Sequence, residues 1–107
     1  MDIADIFTSW LAHNAARIEG RFEVERIGDW SNNLPQHGIA LDLFNDHASG
    51  RVTAWPQQAA NADWPFADIE ILDNATEEIV LAETFVEFNS SLLDRWLAAL
   101  EAYTDSG

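Results

Sequence analysis

The sequence predicts an α+β fold: an antiparallel meander of about five strands with N- and C-terminal helices packed on one face. Three observations predict it. Apolar residues recur at helical spacing near both ends of the chain and at strand spacing between them. The segments joining most of the strands are short and rich in turn formers, which favours antiparallel neighbours. Both terminal segments are amphipathic and need a partner; one face of a sheet serves both and leaves the other face open.

Residues 2–18 predict the first helix, with Ile3, Ile6, Phe7, Trp10, Leu11 and Ile18 on its apolar stripe. Asp2 is placed as its N-cap, Asp5 in its first turn and Gly20 as its stop. Residues 21–27 alternate apolar and charged and predict a half-buried strand. A loop over 28–37 follows, with Trp30 and Leu34 as anchors. His37 to Phe44 predicts a second strand, with Ile39, Leu41 and Leu43 on one face and Ala40, Asp42 and Phe44 on the other. Residues 45–50 predict a turn and 51–55 a third strand, Val52 and Ala54 inward, Arg51, Thr53 and Trp55 outward. Pro56 to Pro65 predicts a loop, and Phe66 to Asp73 a fourth strand with Ile69 and Ile71 inward and Asp68 and Glu70 outward. Residues 74–77 predict a turn and 78–85 a fifth strand, whose run Ile79-Val80-Leu81-Ala82 is too apolar for alternation to assign its faces. Residues 90–103 predict the closing helix, with Leu92, Leu93, Trp96, Leu97, Leu100 and Tyr103 inward, Ser91 and Asp94 in the positions of a capping box, and a frayed tail from Thr104.

At 107 residues and 48% hydrophobic content, residues 1–107 form one domain with one core. Cysteine is absent, which excludes disulfides and thiol chemistry. The first residues lack a basic start and an unbroken apolar run, and no stretch is long and apolar enough for a membrane span; the expected location is cytoplasmic. Nineteen Asp and Glu face five Arg, for a formal net charge of −14. Phosphate backbones and anionic membranes repel such a surface, so the expected partner is a basic protein, with no nucleic acid and no membrane.

Chemistry-bearing motifs are missing: no nucleophile elbow, no glycine-rich phosphate loop, no H-E-x-x-H. His47 stands near Asp42 and Asp46, but the spacing fits no metal-ligand pattern, and His13 is placed on the solvent side of the first helix. The expectation is therefore a binding protein and not an enzyme, with no cofactor and no metal, monomeric when free. Its binding surface is expected on the open sheet face, where alternation puts Glu23, Glu25, Asp42, Phe44, Arg51, Trp55, Phe66, Asp68 and Glu70. Aromatic side chains there would supply binding energy and charges would supply steering. An acidic chaperone for a secreted effector and a nucleic-acid mimic are the alternative binders.

The strands also carry a family resemblance. The runs Phe22-Glu23-Val24-Glu25, Ala40-Leu41-Asp42-Leu43, Gly50-Arg51-Val52-Thr53-Ala54-Trp55 and Asp68-Ile69-Glu70-Ile71-Leu72-Asp73 with Thr76-Glu77 resemble the TriTu family of bacterial immunity proteins. The opening helix with Trp10 and the closing Leu92-Leu93 to Leu100 helix agree with it, so the likeness covers nearly the whole chain. Residues 28–36 and 57–65 lie outside the pattern. The resemblance implies an antitoxin that binds and occludes a cognate Rhs-type toxin domain, an ADP-ribosyltransferase acting on elongation factor Tu.

Overall fold

Five strands form one sheet in chain order, each antiparallel to the next: β1 (Glu23–Ile27), β2 (Ile39–Phe44), β3 (Ala48–Ala54), β4 (Ala67–Asp73) and β5 (Ile79–Phe85). Helices α1 (Ile3–His13) and α2 (Ala15–Ile18) precede the sheet and α3 (Ser90–Ser106) follows it. The computed structural model describes residues 3–31, 38–55 and 67–106. The proposed N-cap Asp2 and the loop residues Leu34 and 56–65 lie outside that set.

Both terminal segments pack on the same side of the sheet, α3 over β3 and β4 and α1 over β2. They meet the side chains that alternation points inward: Leu41, Leu43, Val52, Ile69 and Ile71, together with Phe7, Leu93, Trp96, Leu97 and Leu100, are essentially inaccessible. Each such large side chain contributes about 1.5–3 kcal/mol of transfer free energy. Trp96 packs closely against the sheet because Gly50 faces it: a Cβ there would come within 2.9 Å of the indole nitrogen. That nitrogen donates to the backbone carbonyl of Glu70 at 3.4 Å. Trp30 stacks on Phe7 with centroids 4.8 Å apart, the loop anchor expected of it.

A polar clasp joins the two ends of the chain. The Trp10 indole donates to Asp94 at 2.9 Å. Arg17 and Arg21 both bond Glu101, and Arg21 reaches Asp105 at 2.6 Å.

Five expectations need correction. The first helix is broken at Asn14, whose side chain competes with the backbone by donating to the Trp10 carbonyl at 2.9 Å. β1 is a strand, but an exposed one up to Ile27; it sits at the sheet edge, and only Phe22 just before it is buried. β3 starts at Ala48, because Gly50 is needed in the ladder under Trp96 and not in a turn. The α3 cap is Asn89, whose side chain accepts from the Leu92 amide at 3.1 Å, while Asp94 is taken by Trp10. The tail stays helical to Ser106, held by Arg21 on Asp105 and by Asn45 donating to Thr104 at 3.2 Å.

Candidate functional site

Among the described residues no helix lies on the second face of the sheet. Register partners in an antiparallel ladder share a face, so the pairing assigns this surface row by row. The central row runs Glu25, Asp42, Arg51, Glu70, Ala82 across all five strands. On one side lies the row Glu23, Phe44, Ser49, Leu72, Ile79. On the other lies Ile27, Ala40, Thr53, Asp68, Thr84. The face is thus a charged band with an apolar flank and a polar flank.

Arg51 is the one cation on this face among the described residues, and it is neutralised within the face. Its guanidinium forms a fork on Asp42, with bonds of 2.8 and 3.0 Å. That bond, with the nearby charges of Glu70 and Glu25, raises the arginine above its ordinary pKa against the cost of partial burial. Glu23, Glu25, Asp68 and Glu70 are left facing outward with no cation of their own on this surface. Partial burial, then the neighbouring Glu70, pushes Asp68 above the usual carboxylate range, against Thr53 and Arg51, which pull it down. At Asp68 an incoming cation would meet a carboxylate that solvent serves poorly.

Between the charged band and the apolar flank lies a shallow depression of about 220 Å³, walled by Asp42, Phe44, Ser49, Arg51, Glu70, Leu72 and Ile79. An aliphatic stem ending in a cation suits such a lining: carbon against Phe44, Leu72 and Ile79, charge against Glu70.

The expected site residues divide as follows. Glu23 and Glu25 are exposed on β1, and Asp42, Phe44, Asp68 and Glu70 are half-buried on the same face. Trp55 stands just past the end of β3, also half-buried, with its indole so close to Gly38 that a Cβ there would be 2.7 Å away. Gly38 has a φ of +79°, open to glycine, and that close approach also requires it. The aromatics are therefore partly sunk into the face and not free-standing. Phe66 lies outside the described residues. Leu72 and Ile79 were not expected here. Continuing the Asp68, Glu70 alternation one step would have placed Leu72; Ile79 was hidden by the apolar run and by a register shift against β4 that makes Val80 an extra residue.

His13 is exposed and bonds the Ser9 carbonyl at 2.8 Å. Among the described residues no three His, Cys, Asp or Glu side chains are grouped to hold a metal ion. No described helix is long and apolar enough to cross a membrane. Set against protein-family models, curated proteins and solved structures, the chain matches none.

Proposed function

We propose that the chain is an immunity protein that neutralises a basic toxin domain by covering it with the open face of the sheet. The observation that carries this reading is the charged band: carboxylates from β1, β2 and β4 aligned across the sheet, with the face's own arginine already bound to Asp42. A solvent-facing sheet needs charge only for solubility; this one concentrates one sign beside Phe44, Leu72 and Trp55. The charge gives steering, and the sunken aromatics give a preformed apolar surface with little side-chain freedom left to lose. The interleaved apolar row argues against a nucleic-acid mimic, which would disperse its carboxylates like phosphates. The toxin class rests on the resemblance of the strand motifs to the TriTu immunity proteins, which implies an ADP-ribosyltransferase of the Rhs type acting on elongation factor Tu.

The test is co-expression with the catalytic domain of an Rhs-type ADP-ribosyltransferase toxin. The parent chain is expected to restore growth and to form a stoichiometric complex with that domain. Trp55→Ala, and Asp68→Lys combined with Glu70→Lys, should fold by circular dichroism and fail to protect, the anchor truncation weakening binding about 30-fold or more. Folded variants that protect as well as the parent would remove this face from the mechanism.

A further inference from the structure

The two edges of the sheet are not treated alike. An edge strand offers a row of unpaired N–H and C=O groups, and proteins blunt such edges with charge, proline or cover. β1 is blunted: four of its five residues are exposed and three of those are Glu23, Glu25 and Arg26. β5 is not. Four large hydrophobic side chains stand exposed among the described residues, and three belong to β5 and its end: Ile79 at 62%, Val80 at 43% and Val86 at 79%. The fourth, Val24, is at 45% on β1. Among the described residues β5 pairs with β4 alone.

We infer that β5 is a second part of the binding surface, where an extended segment of the basic partner adds as a sixth strand. The inference rests on the proposed function and extends its site. Three observations favour this occupant. Ile79 belongs at once to β5 and to the depression on the open face, so the edge continues that surface without a gap. Glu77, Glu78 and Glu87 are exposed at the two ends of β5, so an incoming strand meets carboxylates wherever it leaves the apolar stretch. A second copy of the chain is the poorer occupant, because it would bring −14 against −14 along the same edge. A segment with an apolar centre and basic ends meets all three conditions: its backbone extends the ladder, its apolar side chains cover Ile79 and Val80, and its cations face the carboxylates at the two ends of β5.

The probe is a synthetic peptide of about eight residues, a run of valines flanked at each end by two arginines and blocked at both ends, the length of an ordinary strand. On the full chain, hydrogen exchange is expected to slow at amides within Ile79–Phe85 when the peptide is added, and to stay unchanged across β1. The same peptide N-methylated at every residue keeps its charge but has no N–H left to donate along either edge, and should give no such protection. Ile79→Lys with Val86→Lys alters two exposed positions; it should leave the circular dichroism intact and weaken peptide binding about tenfold. Peptide binding without β5 protection, protection of β1 instead, equal protection by the methylated peptide, or a dimer of the free chain at micromolar concentration would each overturn the inference. The two readings fail separately: loss of toxin protection on charge reversal of Asp68 and Glu70 with no β5 protection leaves the open face standing alone, and the reverse leaves the edge.

Discussion

The two faces of the sheet are built from the same strands, one residue out of step, and they obey opposite rules. On the covered face Leu41, Val52 and Ile69 are sealed under α1 and α3, and a single missing side chain, at Gly50, is what allows Trp96 to close the packing. On the open face Asp42, Arg51 and Glu70 sit opposite one another on those same three strands. Close-packed interiors respond to every methylene, whereas a half-exposed charged surface responds mainly to charge. The sheet therefore separates stability from binding: the covered face holds the fold, and the open face can vary with the partner.

The largest effect should come from Trp96→Ala, which removes the biggest fully buried side chain and should cost about 3–5 kcal/mol in urea unfolding. Phe44→Ala on the open face, half-buried, should cost about 1–2 kcal/mol; equal costs would break the contrast. Next is Gly50→Ala, whose Cβ would press on the Trp96 ring and on Leu100 and should cost about 1–3 kcal/mol. A smaller effect is expected for Arg51→Gln. It breaks the fork on Asp42 and leaves the carboxylates of the band facing one another, for a loss under about 1 kcal/mol that shrinks as salt is added. A loss that persists in high salt would mean that Arg51 also packs.

The smallest effects are in pH dependence, and the two faces should differ in sign. Asp73 is held below the usual carboxylate range first by the Tyr103 hydroxyl and then by the amides of Thr76 and Ala75. Its contribution to stability is present above the ordinary value of about 3.9 and is lost as pH falls through the lower folded value. Tyr103→Phe should therefore lower Tm at pH 7, with the difference closing as the solution is acidified below about pH 4. Asp68 is raised, so its ionisation opposes folding above its ordinary value. Asp68→Asn should raise Tm slightly at neutral pH, with the gain fading at acid pH where the native carboxyl is protonated. The same sign from both substitutions would contradict the assignment of the two groups.

The sheet was legible because alternation is a two-state signal. His37 to Phe44 and Phe66 to Asp73 each carry three or more consecutive inside–outside choices, and from Ile39 and Ala67 onward the side chains fall on the expected faces, although Ala40, expected outward, is buried. What could not be read was set by contacts distant in sequence. Ser49 and Gly50 have the composition of a turn and lie in a strand: Trp96, far along the chain, covers Gly50, and Ser49 on the other face bonds Asn74. Ser91 and Asp94 have the spacing of a capping box, but Asp94 is engaged by Trp10, and Asn89 caps instead. Thr104 and Asp105 look like a frayed end, and Asn45 and Arg21 hold them in the helix. For the site, Asp42, Arg51, Asp68 and Glu70 could be placed on one face by counting alone. Leu72 was missed one step further along the same alternation, and Ile79 because the extra residue Val80 shifts the count.

The clasp between the chain ends has a kinetic consequence. Every strand pairs with its neighbour in sequence, so the meander can zip from local hairpins, each an event of about 1–10 μs. Trp10 and Asp94 are 84 residues apart, as are Arg17 and Glu101. Closing so long a loop loses more chain entropy than any hairpin, so docking of α1 against α3 should come after the sheet has formed and part before it melts. A pull on the two termini would load that clasp first, leaving β2, β3 and β4 as the last units to resist.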